Sequence, residues 1–316
     1  MKPNVLLLES ITEDAYNMLA VHTNILTASS PTKGSVIARK NPIAAIVTRG
    51  KGAVNAGIIS DCKGLKIIAR CGVGLDNVDV PYASSQGIRV VNAPGSNSDT
   101  VVEQAIALLL MLQRQLFQSV TQVKEGNWNY RKQYQGDEIR GKVLGVLGLG
   151  NIGRKVATIA AAFGMKVIYW DRSSTNTNYV KMTLEQVLKQ ADIVSIHLPL
   201  TAETQQLIGA KELALMKHTA LLINTARGAI IDQTALLSAL QNKTVGGFAA
   251  DVLTIEPPAP NHPLLALDNV LVTPHAASLT ASTYNQMCVM TVQNVVDFLT
   301  GRNIEERFIF NREVFK

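Results

Sequence analysis

The sequence has little that would place the protein in a membrane or on a nucleic acid. Its longest apolar stretch, about Ala105 to Leu112, is far shorter than the roughly 20 residues that cross a bilayer, so we expect no membrane partner. The chain carries 30 lysines and arginines and a net charge of +6, but these residues form no basic block. Because nucleic-acid-binding arms carry such blocks, we expect no nucleic-acid partner.

Cysteine is also scarce. The three cysteines, Cys62, Cys71 and Cys288, are odd in number and lack the spacing of metal ligands, so the sequence predicts neither a disulfide framework nor a metal site. This usage is typical of a reducing cytoplasm. The first apolar segment, Val5–Glu9, predicts a strand rather than a signal peptide because an acid ends it. We therefore expect a cytoplasmic protein.

What the sequence has in abundance is alternation of strand-like and helix-like segments. A chain of 316 residues that is 47% hydrophobic can fill the cores of two domains. The strand-like segments are Val5–Glu9, Ala44–Thr48, Leu65–Arg70, Ile88–Asn92, Ile193–His197, Ala220–Asn224, Val245–Ala250 and Val270–Thr273. The helical segments are Thr12–Ala20, Asn55–Cys62, Val80–Gln86, 98–124, Leu184–Lys189, Lys211–Met216, Thr234–Gln241 and about Ala281–Thr300. This alternation predicts an α/β protein with two open parallel-sheet domains.

The most informative stretch lies between the two halves. A buried strand, Val143–Leu147, runs into a glycine turn, Gly148–Gly153, whose sequence is Gly-Leu-Gly-Asn-Ile-Gly. An apolar helical run follows, and then a second strand, Val167–Asp171, that ends in an acid. A glycine turn alone often marks an ordinary structural turn. The strand before it, the helix after it and the distal acid together favour dinucleotide binding.

Each glycine of this turn has a distinct role in that prediction. Gly148 allows the tight turn, Gly150 lets the backbone approach a pyrophosphate, and Gly153 lets the helix pack close to the strand. Asn151 and Ile152 stand at the start of the helix, where free N–H groups and a partial positive charge face the phosphates.

The acid at the end of the second strand bears on the choice of cofactor. The carboxylate of Asp171 can accept hydrogen bonds from the adenosine ribose hydroxyls, and it would repel the 2′-phosphate of NADP. The sequence therefore favours NAD. Arg172, Ser173 and Ser174 follow directly and could contact that phosphate or form a solvated loop, so NADP remains the open alternative.

Three polar residues follow strand-like segments of the second half: Arg227, Glu256 and His275. Individually they are compatible with a surface charge, a solvated acid and a structural histidine. In an open α/β sheet, ligands bind at the carboxyl ends of the strands, so the three could meet there. An arginine can clamp a carboxylate and polarise a carbonyl, and a histidine beside a carboxylate can move a proton. The set suits carbonyl reduction with a hydride from a nicotinamide cofactor.

The order of these motifs resembles that of a known family. Asn224–Gly228, Asp251–Pro258 and Thr273–His275, following Gly148–Gly153, are similar to the D-isomer-specific 2-hydroxyacid dehydrogenases over nearly the whole chain. Formate dehydrogenases of this superfamily carry glutamine where this sequence has Glu256, which argues against that activity.

The resemblance implies a role for each site residue. Arg227 would bind substrate, Glu256 would pair with His275, and His275 would be the acid/base. Asp251 would hold the nicotinamide carboxamide. The implied cofactor-binding residues are Gly148, Gly150, Asn151, Ile152, Gly153, Asp171, Pro199, Thr225, Asp251 and Ser278.

The resemblance also implies a domain organisation. A flavodoxin-like substrate domain would comprise residues 1–97 and 287–316, and a Rossmann NAD-binding domain, residues 98–286, would be inserted into it. The substrate would lie in the cleft between the domains. The long helix after Asn97 and the segment through Trp128 resemble the dimerisation region of the family, so a homodimer is expected.

Within the family the chain most resembles the 3-phosphoglycerate dehydrogenases, through Arg70–Asp79 and Asn92–Ser98. In that subgroup the N–H groups at positions matching Val73 and Gly74 hold the substrate carboxylate. Val73 departs from the threonine that is common there. The chain ends soon after its last helix, so no regulatory C-terminal domain is expected.

Three arginines would surround the substrate phosphate in this subgroup: Arg49, Arg70 and, reaching across the dimer, Arg131. Charge-assisted hydrogen bonds suit a phosphate, although each residue could be an ordinary surface arginine. The alternatives are a hydroxypyruvate or glyoxylate reductase, which shares the same catalytic set, and an NAD(H)-responsive corepressor-like scaffold.

Overall fold

The computed structural model describes residues 2–174 and 178–315, and the chain divides into two units. Unit 1 comprises Met1–Asn97 and Leu279–Lys316, and unit 2 comprises Ser98–Ser278. The second boundary therefore lies at 278/279 rather than at the predicted 286/287. The physical reason is the last helix, which begins at Ala281 and packs Cys288, Val292, Val295 and Val296 into the core of unit 1, so the division falls before it.

The strands match most of the predicted segments. They are β1 (Asn4–Leu7), β2 (Asn24–Thr27), β3 (Ala45–Thr48), β4 (Ile67–Arg70), β5 (Arg89–Val91), β6 (Val143–Leu147), β7 (Lys166–Trp170), β8 (Val180–Lys181), β9 (Ile193–Ile196), β10 (Leu221–Asn224), β11 (Gly247–Ala250) and β12 (Val270–Val272). β2 and β8 were not predicted. Both are edge strands with no fully buried residue, so neither has the apolar run that identifies the other strands.

Apart from α2, which the sequence did not predict, the helices lie in the predicted segments. They are α1 (Glu13–His22), α2 (Gly34–Ala38), α3 (Ala56–Asp61), α4 (Val80–Ser85), α5 (Ser98–Gln113), α6 (Leu116–Lys124), α7 (Asn151–Ala162), α8 (Leu184–Gln190), α9 (Ala210–Leu215), α10 (Gln233–Gln241) and α11 (Ala281–Leu299). In the described part of the chain, no helix combines the length and the apolar character that a bilayer-spanning segment needs.

The two sheets confirm the predicted α/β class. The sheet of unit 1 has the order β2-β1-β3-β4-β5, and that of unit 2 has the order β12-β11-β10-β9-β6-β7-β8. All the pairings are parallel. The first order is that of flavodoxin-like folds, and the second reverses direction at β6 as dinucleotide-binding sheets do. Ligands in such sheets bind outside the carboxyl ends of the strands.

Both faces of the unit 1 sheet are covered, as parallel sheets require. Successive residues of β1 alternate between two apolar clusters, with Leu6 on one face and Val5 and Leu7 on the other. The second of these clusters includes Val292 and Val295 of α11. The last helix therefore completes the core of the unit that the N-terminus begins.

The predicted single helix 98–124 is wrong in one respect, because it breaks at Gln115. That residue adopts a left-handed conformation (φ 46°, ψ 38°), which ends α5 and starts α6. The segment 134–137 stabilises the break. Tyr134 Oη donates to the carbonyl of Arg114 at 2.7 Å, and the N–H of Asp137 donates to the carbonyl of Gln113 at 3.1 Å. These contacts satisfy carbonyls that a helix end leaves without partners.

Candidate active site

The glycine turn joins the end of β6 to the start of α7, and two of its glycines are required by the protein itself. Gly148 has a φ of +93°, and a Cβ there would approach the carbonyl oxygen of His197 to 2.7 Å. A Cβ on Gly153 would collide with the carbonyl oxygen of Gly148. These contacts match the roles predicted for the tight turn and for the close packing of the helix.

Gly150 is different, because no atom of the described residues requires it to be glycine. Its φ of −72° is ordinary for any residue, and an added Cβ would meet no described atom within 4 Å. The space beside this backbone is therefore open toward the described residues, as the close approach of a pyrophosphate requires. Within the part of the chain that the structure describes, no side chain caps the N-terminus of α7, so its first N–H groups are available to a phosphate. The turn therefore fits a dinucleotide.

Asp171 directly follows β7 and holds the glycine turn. Its Oδ2 accepts the N–H of Leu149 at 2.7 Å, and its Oδ1 accepts those of Ser173 and Ser174 at 2.8 and 2.6 Å. Burial opposes ionisation, but these backbone donors outweigh it and lower the pKa of the carboxyl group. An ionised acceptor therefore lies beside the turn. The neighbouring Arg172 forms an exposed ion pair with Glu203 at 3.7 Å.

Other predicted cofactor residues lie in the same unit. The side chain of Asn151 donates to Ser98 Oγ at 2.8 Å, and the carbonyl of Pro199 accepts from Thr204 at 2.6 Å. Thr225 is 8% exposed, and its buried Oγ1 has no hydrogen-bond partner among the described residues. Because a buried hydroxyl is normally hydrogen-bonded, this one suits a bound ligand.

Asp251 is 1% exposed and anchors the loop that carries His275. Its Oδ1 accepts from Thr273 Oγ1 at 2.6 Å and from the N–H of Ala276 at 2.9 Å, and its Oδ2 accepts the N–H of Ala277 at 2.8 Å. The geometry thus gives Asp251 a structural task beside its predicted contact with the nicotinamide. Ser278, also predicted to bind the cofactor, follows this loop and is half-buried.

The predicted acid/base pair is present as a hydrogen bond. His275 Nδ1 lies 2.7 Å from Glu256 Oε2, and Glu256 Oε1 accepts the N–H of Leu253 at 2.8 Å. Burial raises the pKa of Glu256, but the bonds to His275 and Leu253 and the charge of Arg227 outweigh it, so the net shift is downward. The histidine side chain is 46% exposed. An ionised glutamate thus orients the ring through Nδ1, as the predicted acid/base pair requires.

Arg227 is placed by residues whose roles the sequence did not indicate. The fully buried Asn224 donates to the carbonyl of Arg227 at 2.9 Å and accepts the N–H of Ala226 at 2.9 Å. Gly228 packs directly on the backbone of Leu253, where any Cβ would collide. This contact brings the arginine loop against the glutamate loop. Two features of the sequence could have indicated these roles: an asparagine at the end of a strand and a glycine directly after the arginine.

The predicted substrate residues of unit 1 also follow strand ends. Arg49 directly follows β3, Arg70 ends β4, and the two strands are paired with Thr48 opposite Arg70. Arg131 lies in unit 2, in an exposed turn at Trp128–Lys132. Of the three arginines of the predicted phosphate clamp, Arg49 and Arg70 therefore belong to unit 1 and Arg131 belongs to unit 2.

The loop that follows β4 is fixed by backbone contacts. The guanidinium of Arg70 lies against Gly72, where a Cβ would collide with it and where φ is +150°. Asn92 Nδ2 donates to the carbonyl of Val73 at 2.6 Å, and the N–H of Ala93 donates to that of Gly72 at 2.9 Å. These bonds hold the Val73–Gly74 backbone that is predicted to bind the substrate carboxylate.

Comparison with known proteins defines the class that this fold and site represent. The model of the NAD binding domain of the D-isomer specific 2-hydroxyacid dehydrogenases matches residues 106–277, more than half of the chain. The protein belongs to the D-isomer-specific 2-hydroxyacid dehydrogenase family, an NAD-dependent family of oxidoreductases. This confirms the family resemblance and the NAD cofactor.

Individual relatives within the family differ in activity. A glyoxylate reductase of Aeropyrum pernix is 37% identical over 100% of this chain and 98% of its own length. A D-3-phosphoglycerate dehydrogenase of Archaeoglobus fulgidus is 38% identical over 94% of this chain, which spans 57% of that protein. The structure of D-lactate dehydrogenase from Aquifex aeolicus, complexed with NAD and lactic acid, has a TM-score of 0.85 and 28% identity, covering 94% of this chain and 96% of that one.

Proposed function

We propose that this dehydrogenase oxidises 3-phosphoglycerate to 3-phosphohydroxypyruvate, a step of serine biosynthesis. The observation that carries the chemistry is the 2.7 Å contact between His275 and Glu256, whose carboxyl pKa also responds to the charge of Arg227. A charged arginine beside an oriented histidine is what a D-2-hydroxy acid needs for removal of its hydroxyl proton and binding of its carboxylate.

Each residue of this set has one task in the proposed mechanism. His275 takes the hydroxyl proton at Nε2 in the oxidation and returns it in the reduction. Glu256 accepts the hydrogen bond of Nδ1–H, which fixes the tautomer and stabilises the imidazolium. Arg227 binds the substrate carboxylate and polarises the adjacent carbonyl. NAD, held by the glycine turn and Asp171, would supply the hydride-accepting chemistry for this oxidation.

For the cofactor, Gly148, Gly150 and Gly153 would shape the pyrophosphate site, and Asp171 would bind the ribose. The open space at Gly150 and the buried hydroxyl of Thr225 support this assignment. A carboxylate that the backbone keeps ionised disfavours a 2′-phosphate, which supports NAD over NADP.

The preference for a phosphorylated substrate rests on Arg49, Arg70 and Arg131, with the backbone of Val73 and Gly74 binding the carboxylate. The positions of Arg49 and Arg70 after paired strands support this part of the proposal. The second candidate is a glyoxylate or hydroxypyruvate reductase. It is favoured by the glyoxylate reductase that matches this chain over nearly its whole length.

One experiment separates these candidates: kcat/KM with NADH for 3-phosphohydroxypyruvate against hydroxypyruvate and glyoxylate. One or two charged hydrogen bonds of about 1.5–3 kcal/mol each predict a preference of about a hundredfold for the phosphorylated acid. A ratio near or below one assigns the protein to the hydroxypyruvate and glyoxylate reductases. Tight NADH binding without turnover of any 2-keto acid would instead favour an NAD(H)-responsive corepressor-like scaffold.

The proposed homodimer is supported by the surface of α6. Against the described part of the chain, none of the side chains of this helix is fully buried. Its exposed apolar residues are Leu116, Phe117, Val120 and Val123, and Trp128 follows them with 68% of its surface exposed. Apolar patches of this kind mark protein–protein contacts. For location we propose a reducing cytoplasm, which the three unbridged cysteines support.

A further inference from the structure

The carboxylate of Glu9 gathers the loop that carries Arg49. Glu9 lies two residues after β1, the strand that pairs with β3. Its Oε2 accepts the N–H groups of Arg49, Gly50 and Gly52 at 2.7, 2.9 and 3.1 Å, and its Oε1 accepts that of Lys51 at 3.1 Å. Successive N–H groups of a loop form a concavity that binds anions. Here the chain's own carboxylate fills that concavity and fixes the backbone.

Two neighbouring side chains support this arrangement. Thr48 Oγ1 lies 3.1 Å from Glu9 Oε2, and Asn77 Nδ2 donates to the carbonyl of Gly52 at 2.7 Å. Burial opposes the charge on Glu9, but the backbone donors outweigh it and lower the pKa of the carboxyl group. The loop is thus held by an ionised carboxylate that forms hydrogen bonds with backbone N–H groups.

The side chain of Arg49, by contrast, is held only by neutral groups. Its guanidinium carbon lies 4.6 Å from the centroid of the Tyr284 ring, and Nη1 donates to the carbonyl of Ser10 at 3.4 Å. Tyr284 Oη donates to the same carbonyl at 3.1 Å. Among the described residues, no carboxylate forms an ion pair with this arginine. A guanidinium with only neutral neighbours among the described residues has no carboxylate to compete with an anionic ligand.

We propose that Glu9, the Ser10 carbonyl and Tyr284 are positioning groups that hold Arg49 ready for the anionic group of the substrate. Glu9 fixes the backbone of Arg49, and Ser10 and Tyr284 fix its side chain. The inference rests on the proposed function, because it takes Arg49 as the arginine that binds substrate. Its consequence is tighter binding through preorganisation, since the arginine loses little freedom when the anion arrives.

The test compares variants by KM for 3-phosphohydroxypyruvate, kcat at saturation and Kd for NADH. In Glu9→Gln the amide cannot accept all four N–H groups, so we expect KM to rise about tenfold, the value of one charged hydrogen bond at the weak end of its range. Glu9→Asp keeps a carboxylate and should give an intermediate KM. kcat and NADH binding should stay within about twofold of wild type, because Arg49 would bind the anionic group equally in the ground state and in the transition state.

Tyr284 supplies a second, independent pair of variants. Tyr284→Leu removes the ring under the guanidinium and should raise KM about two- to fivefold, the range for an exposed cation–π contact. Tyr284→Phe keeps the ring and should change KM by less than about twofold. The matched control is Asp61→Asn, which removes a unit 1 carboxylate that is bonded to Arg39 and Ser35 rather than to the Arg49 loop and should leave KM unchanged.

A double-mutant cycle with Arg49→Ala separates positioning from general damage. If Glu9 and Tyr284 act through Arg49, Glu9→Gln and Tyr284→Leu should have no further effect on KM in the Arg49→Ala background. Equal effects in both backgrounds would overturn the inference. The inference would also be overturned if Arg49→Ala raised KM while the Glu9 and Tyr284 variants kept a normal KM. That result would be compatible with the proposed function, because Arg49 would still bind the substrate. No effect of Arg49→Ala itself would overturn both.

Discussion

The two units use their acidic residues in different ways. In unit 2, Glu256 bonds directly to His275, the side chain proposed to move the proton, and Asp251 holds the loop around it. In unit 1, Glu9 bonds to four backbone N–H groups, and the guanidinium of Arg49 contacts a carbonyl and a ring. In the proposed mechanism, the first arrangement orients a group that changes its protonation state. The second preserves a fixed positive charge for the proposed ligand.

The difference follows from the chemistry that each side chain is proposed to perform. An imidazole that gains a proton is stabilised by a carboxylate partner, because the partner's charge opposes the charge that develops. An arginine that must bind an anion would lose affinity if a carboxylate of the protein already occupied it. The comparison therefore predicts separate losses, in turnover for unit 2 and in substrate affinity for unit 1.

The largest expected effect is on the proton-transfer residue. Replacing His275 with alanine should lower kcat about 10²- to 10⁴-fold, the contribution of general acid–base catalysis, while Kd for NADH changes little. The measurement is steady-state turnover together with NADH fluorescence titration. His218→Ala, an exposed histidine of the same unit, is the matched control. Parallel loss of turnover and NADH binding would mean that His275 has a structural role instead.

A smaller effect is expected at Asp171, which is proposed to bind the cofactor rather than the substrate. Asp171→Ala should raise KM for NAD about tenfold or more, because a hydroxyl bonded to a charged acceptor contributes about 1.5–3 kcal/mol. KM for NADP should rise much less, since the repulsion of its 2′-phosphate is removed. Asp268→Ala, at an exposed acid of unit 2, provides the control. An unchanged ratio of NAD to NADP would contradict the ribose role.

The roles of the acidic residues were predictable from the sequence to different extents in the two units. The positions of Arg227, Glu256 and His275 after successive strands indicated that these side chains could meet, because the carboxyl ends of parallel strands share one edge. The structure joins Glu256 and His275 by a hydrogen bond. Glu9 was interpreted only as the end of a strand. Its role depends on a loop that is 40 residues away in the sequence, and no local pattern indicates such a pairing. Hydrogen bonds from a side chain to a distant backbone leave no periodic signal.

The break at Gln115 was not predictable for the same reason. The apolar pattern of 98–124 is continuous, and intrinsic preferences favour one helix. Contacts of Tyr134 and Asp137 with the end of α5 override that preference. The edge strands β2 and β8 lack buried runs and gave no signal either. The structural features that could not be predicted from the sequence therefore depend on distant backbone partners or on partial burial.

The smallest effect tests whether Glu9 also stabilises unit 1. Its pKa is lowered in the folded protein, so its contribution to the free energy of unfolding is fully present above the ordinary pKa of 4.5 and is lost as the pH falls through the folded value. Glu9→Gln should therefore lower Tm near neutral pH, by about 2–4 °C for each kcal/mol lost, and its Tm should converge on that of wild type in acid. The measurement is a series of thermal unfolding curves from neutral pH to pH values below 4.5. A deficit that is constant across the series would mean that the glutamine disturbs packing. A Tm deficit that disappears in acid would show that the ionised carboxylate holds the loop. Protonation of Glu9 removes the charge in the wild type, so the wild type then loses its advantage over the glutamine variant.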